Sequence, residues 1–151
     1  MIEKALRLLD ACCEAYDSFQ TPKDGHTFCN FAVDHILMRM GYDDMKNSDG
    51  TPMLANQMVD FMTRSLDWEE VRMDEAQNLA NVGEVVVAGK AEEGHGHVVV
   101  VRPGTAEHSG KWGPVPKCCN VGAHSWIGRG VNYAFGGDVK PTFWRLKKEG
   151  I

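Results

Sequence analysis

The spacing of apolar residues changes once along this chain, near Gly83, and that change limits the possible folds more than any other feature. Before it, Ile2, Ala5, Leu6, Leu8, Leu9, Cys12, Cys13 and Tyr16 recur at helical spacing, which predicts an amphipathic helix over residues 2–17. The stretch Thr21-Pro22-Lys23-Asp24-Gly25 is turn chemistry, after which Thr27 or Asn30 is placed to cap a second helix that runs to Met40 and stops at Gly41. Phe31, Val33, Ile36, Leu37 and Met40 give that helix an apolar stripe fit to pack on a sheet. Polar residues 43–51 separate it from a third helix that starts near Pro52 and carries Leu54, Met58, Phe61 and Met62. The methionines read as adaptable core filler, since no Cys or His stands beside them at helical spacing.

From Gly83 onward the chain turns to short runs rich in β-branched and aromatic residues, divided by Gly and Pro. Residues 84–88, 97–102, 115–121, 131–135 and 142–146 are expected strands. Helices first and neighbouring strands second predict an α+β domain whose N-terminal helices cover one side of a mostly antiparallel sheet. With 43% hydrophobic and 25% charged residues, 151 residues are enough for one core, so residues 1–151 are expected to form a single domain.

A formal charge of −5 and the lack of a Lys/Arg-rich run argue against a nucleic-acid partner. The Lys147-Lys148 pair is the densest basic stretch and reads as a solvated end. The apolar runs at 85–88 and 98–101 fall far short of the ~20 residues needed to span a bilayer, so no membrane partner is expected. Glu3, Lys4, Arg7, Asp10 and Glu14 interrupt the first fifteen residues, which therefore lack the apolar centre of a signal peptide. The expectation is synthesis in the cytoplasm, with any action outside it reached by another route.

Five cysteines leave at least one without an intramolecular partner, and Cys12-Cys13 and Cys118-Cys119 form doublets that cannot easily bridge internally. The remaining cysteine, Cys29, stands at the predicted start of the second helix, where backbone N–H groups and the helix dipole favour a thiolate. In Gly94-His95-Gly96-His97, followed by four valines, His97 opens an apolar strand and the glycine before it leaves room for another group to approach. A His so placed can take a proton from a thiol and return it to a leaving amine. On the next strand Asn120, and Cys118 two residues earlier, can share a face with His97, and a side-chain amide there would hold the imidazole in orientation. A buried core Cys and a hydrogen-bonded structural His are the competing readings when each is taken alone. His95 and His97 share a strand face, but no third or fourth metal ligand stands at suitable spacing, so neither metal nor cofactor is expected.

Together, a helix-start Cys, a strand-start Gly-His and a polar residue on the following strand resemble the papain-like cell-wall amidases known as the NlpC and CHAP groups. The sequence is more closely similar to the small type VI secretion amidase effectors. The similar stretches are Phe28-Cys29-Asn30-Phe31-Ala32-Val33, Leu54-Ala55-Asn56-Gln57-Met58-Val59-Asp60, Val86-Val87-Ala88-Gly89, Gly96-His97 with its valines, and Val115-Pro116-Lys117-Cys118-Cys119-Asn120. This resemblance implies a papain-like fold and an antibacterial enzyme that hydrolyses an amide in the peptide stem of peptidoglycan, such as that between D-glutamate and diaminopimelate. It implies Cys29 as nucleophile, His97 as base, action in the periplasm or cell wall, and an immunity protein as inhibitor. The effector group has a Cys where this chain has Asn120, although Asn is normal there in papain-like enzymes at large. A disulfide from the first helix to the C-terminus, which those effectors can carry, is not expected, because no cysteine follows Cys119.

For the substrate groove the resemblance points to Asn56, Gln57, Trp68 and the Gly-rich residues 122–130 with Ser125 and Trp126. Core packing is the competing role for both tryptophans. Arg129, between two glycines, is suited to pair with a carboxylate of the stem peptide. Other readings remain open: a phage or mobile-element lysin, a housekeeping wall hydrolase, a non-catalytic binding or immunity-like module, and a deubiquitinase-like or acyltransferase cysteine enzyme.

Overall fold

The computed structural model describes residues 2–147 apart from Gly25 and Gly137. Gly25 of the predicted turn and Lys148 of the basic pair therefore lie outside the described residues. Four α-helices are found among those residues: α1 (Ile2–Phe19), α2 (Cys29–Arg39), α3 (Ala55–Arg64) and α4 (Met73–Asn81). The strands are β1 (Trp68–Val71), β2 (Val86–Lys90), β3 (His97–Val101), β4 (Glu107–Ser109), β5 (Gly113–Val115), β6 (Lys117–Asn120), β7 (Trp126–Gly130) and β8 (Thr142–Leu146).

Buried Leu8, Ala11, Cys12 and Ala15 follow the i, i+3, i+4, i+7 rule on α1, which packs along α2. Helix α2 ends where Met40 N donates to the Ile36 and Leu37 carbonyls and Gly41 adopts a φ of 93°, a left-handed conformation that glycine takes without strain. Helix α3 starts three residues after Pro52, because Gln57 Oε1 accepts from Leu54 N at 2.8 Å while Pro52 is held in an isolated bridge to Lys46.

Six strands form one sheet in the order β1-β8-β2-β3-β6-β7, with antiparallel pairings throughout, while β4 and β5 make a separate hairpin. The last strand, β8, inserts between β1 and β2, so it is an interior strand beside edge strand β1. Every residue from Val98 to Val101 is 1% exposed or less, as are Val86, Val87 and Ala88, so both faces of β2 and β3 are covered. Cys119 Sγ lies 3.5 Å from the Cys12 carbonyl, which places α1 over one face of β6. Asn120, its neighbour in the strand, points to the opposite face, where Phe135 packs against His97.

Three expectations change. Residues 131–135 are not a strand: Val131–Tyr133 form a 3-10 turn, and the strand is Trp126–Gly130, within the stretch read as Gly-rich groove. Residues 115–121 divide at Pro116, which has no N–H to donate to a ladder, and the two halves enter different sheets. Trp68 belongs to the core and not to a groove: it is 3% exposed on edge strand β1, and its indole N–H donates to Tyr42 Oη at 3.3 Å. Tyr42 in turn donates to Asp67 at 2.8 Å, and burial followed by this carboxylate pushes its phenol above the usual range. Among the described residues no helix is long and apolar enough to cross a membrane.

Candidate active site

Cys29 is the first residue of α2 and is 8% exposed. No side chain caps this helix, contrary to the expectation for Thr27 or Asn30. Asn30 instead donates its amide to the Met53 carbonyl at 3.0 Å, tying the approach to α3 against the first turn of α2. Burial pushes the Cys29 thiol up, and the backbone amides of Val98, Asn30 and Cys29 itself pull it part of the way back. Val98 follows His97 in β3, so the sulfur lies against the strand that carries the predicted base.

The His97 ring is fixed from two sides. Asn120 Nδ2 donates to the His124 carbonyl at 2.6 Å, which turns the amide oxygen toward the imidazole, and Oδ1 lies 2.6 Å from His97 Nε2. An amide oxygen can only accept, so the neutral ring carries its proton on Nε2 and keeps the lone pair on Nδ1. The Phe135 ring packs on the imidazole with centroids 5.2 Å apart. Burial lowers the His97 pKa from its ordinary value, while Asn120 and then Glu92 raise it in part. Both shifts favour an uncharged Cys29 thiol and an uncharged His97 imidazole at neutral pH.

A cleft of about 280 Å³ opens over Cys29. Its lining combines Cys29 and Asn30 from α2, Ala55, Asn56 and Gln57 from α3, and Gly94, His95 and Gly96 from the β2–β3 loop, together with His26, Thr27 and Leu54. His97 is not itself part of this lining, but the loop leading directly into it is. Of the predicted groove residues, Asn56 and Gln57 line the cleft, whereas Trp68, Ser125, Trp126 and Arg129 do not. Ser125 Oγ donates to the Gln20 carbonyl at 2.7 Å and accepts from Gly122 N at 3.2 Å, so it ties the β6–β7 turn to the end of α1. Trp126 is half-buried against the core, and the Arg129 guanidinium stacks 3.9 Å over the Tyr133 ring.

Sequence reasoning missed Phe135 and the His124 carbonyl. The first lay in a run read as a strand; the second is a backbone group, which no residue type advertises. Among the described residues no cluster of three or more His, Cys, Asp or Glu is arranged to hold a metal.

Burial of thiols also sets an alkaline limit. Cys12 and Cys118 are held well above the ordinary thiol range, Cys12 first by its contact with Cys119 and then by burial, Cys118 by burial, and Cys29 is raised as well. Unfolded thiols ionise near pH ~8.5, so the unfolded chain sheds these protons first. Stability is then fully present below that pH and falls as pH rises above it. We expect the melting temperature, measured under reducing conditions, to drop between pH 8 and 10, and Cys118→Ala to make the decline shallower. A melting temperature that stays flat to pH 10 would contradict the burial of these groups.

No protein-family model matches this sequence, and no curated protein matches it.

Proposed function

We propose that this chain is a papain-like cysteine hydrolase that cleaves an amide in the peptide stem of peptidoglycan, with Cys29 as nucleophile, His97 as general base and acid, and Asn120 as the residue that orients His97. The observation that carries the reading is the 2.6 Å contact between His97 Nε2 and Asn120 Oδ1, on a strand whose next residue, Val98, offers its backbone amide to the Cys29 sulfur. A histidine serving only as a structural link would gain nothing from an amide that frees Nδ1 for proton transfer. Peptidoglycan as substrate, the D-glutamate to diaminopimelate bond as target, an immunity protein as partner and delivery by a type VI system are supported by the sequence resemblance.

The chemistry follows from the tautomer. As the Cys29 sulfur attacks the scissile carbonyl carbon, its proton passes to His97 Nδ1, and the carbonyl oxygen gains negative charge. The first N–H groups of an uncapped helix have no partner within the helix, and those of α2 are available to stabilise that charge. Collapse of the tetrahedral adduct breaks the C–N bond, with the imidazolium giving its proton to the departing amine and leaving a thioester. Water then attacks the thioester, losing a proton to His97, and the acid product departs as the thiol is restored.

The test is to incubate the protein with purified diaminopimelate-type sacculi and to identify released fragments by mass spectrometry. New stem-peptide termini are expected. Intact stems, together with cleavage of isopeptide-linked protein substrates, would assign the couple to a different amide.

A further inference from the structure

The resemblance assigns Asn56 to the substrate, but its side chain is already engaged. Its Nδ2 donates to the Glu92 carbonyl at 2.7 Å and its Oδ1 accepts from Glu92 N at 3.2 Å, so one amide satisfies both backbone groups of a loop residue as a neighbouring strand would. The loop in question, residues 91–96, joins β2 to β3 and ends at Gly96, immediately before His97. Gly96 passes so close to this amide that a Cβ there would sit 2.0 Å from Asn56 Oδ1 and 2.8 Å from the Lys90 carbonyl. A glycine is needed at this crossing, and the crossing fixes where β3 begins.

The same contact joins two walls of one cleft. Cys29 and Asn30 stand on the wall that includes the first turn of α3, held there by the Asn30 to Met53 hydrogen bond; Gly94, His95 and Gly96 form the wall that leads into His97. Asn56 is a side-chain link between these walls at the level of the cleft.

Resting on the Cys29–His97 couple proposed above, we propose that Asn56 is a positioning residue: by clamping the 91–96 loop through Glu92 and Gly96 it sets the reach of the His97 base toward the Cys29 thiol. Its partner Gly96 is the matching half of the clamp. Substrate contact is not its task, because both ends of its amide are committed to the loop.

Site-resolved alkylation tests this without any substrate. Iodoacetamide modification of Cys29, followed by mass spectrometry of its peptide across pH 5 to 9, reports how well His97 removes the thiol proton; peptide resolution separates it from the other thiols. In Asn56→Ala we expect Cys29 to react roughly tenfold more slowly at pH 7, with its pH profile moved toward that of His97→Ala and no further loss in the double variant. On a cleavable substrate, kcat should fall roughly 30-fold with KM nearly unchanged. Glu75→Ala removes a comparable backbone contact, to Arg72 N at 2.9 Å on α4, and should leave the alkylation profile as in the wild type. An unchanged profile in Asn56→Ala with a raised KM would overturn the proposal and return Asn56 to the substrate. A loss that Glu75→Ala reproduces in proportion to its lowered melting temperature would also overturn it. Inertness toward peptidoglycan alongside the expected alkylation pattern would refute the substrate reading and leave the clamp standing.

Discussion

Replacing Cys29 with Ala is expected to lower amide hydrolysis by roughly 10⁴-fold or more, and His97→Ala should cost about as much, with the double variant no slower than either single one. The non-additivity is the informative part. A nucleophile and its base act in one step, so once either is missing the other has nothing left to contribute, and what survives is the catalysis supplied by binding and by the amides at the start of α2. Two independent structural losses would multiply instead. Burial raises the Cys29 thiol and lowers the His97 imidazole, so the proposed mechanism relies on His97 to take the proton during attack. It follows that kcat/KM should hold below pH ~6.5, where a free imidazole would already be protonated, and fall only further into acid. Rates from purified variants between pH 4.5 and 8 check both statements. A Cys29→Ala protein that digests substrate at the wild-type rate would remove the assignment altogether.

How early each part of the site became legible depends on how local its physics is. Cys29 could be found because a turn sequence, a helical stripe and a lone cysteine meet within a few residues, and α2 does begin at that position. His97 could be found because Gly-His followed by four valines marks the opening of a buried strand, and β3 begins there. Asn120 required one further assumption, that β6 neighbours β3, which the register from Val100 and Cys119 to Val101 and Cys118 supplies. Each inference rested on residues adjacent in sequence or one strand apart.

What failed to show was set by distant partners. Asn30 reads as a helix cap by type, yet the Met53 carbonyl claims its amide. Asn56 reads as a cleft ligand, yet a loop 36 residues away uses both of its polar atoms. Helix α4 went unseen because its buried positions are Ala76, Gln77 and Ala80, a stripe too weakly apolar to register as a period. The insertion of β8 between β1 and β2 depends on pairings such as Val87 with Trp144, and no local pattern encodes strand order. Residues 131–135 carry β-branched and aromatic types, but the N–H of Val131 bonds to the Pro116 carbonyl and the chain turns there instead of extending.

The largest stability effect near the site is expected from Lys46→Met. Lys46 Nζ lies 2.6 Å from both oxygens of Asp34, a residue of α2 that is only 6% exposed, with Asp43 as a second partner at 2.8 Å. Methionine retains most of the apolar stem but removes the charge, leaving a buried carboxylate without its cation; breaking such a pair costs about 3 kcal/mol, or roughly 10 °C in melting temperature for a chain of this size. Attraction alone is not the reason, since the pair loses hydration on burial and gains little overall. For that reason Lys46→Met combined with Asp34→Leu should recover most of the loss, which urea denaturation of the two variants will show. If the double variant is as unstable as the single one, the carboxylate is not the source of the cost and the lysine stem is. The consequence for the candidate site follows from connectivity: the segment that carries Lys46 also carries Met53, whose carbonyl holds Asn30 beside Cys29. Lys46→Met should therefore speed amide hydrogen exchange at the start of α2 more than in β2 and β3, loosening the wall of the cleft that presents Cys29 before the sheet gives way.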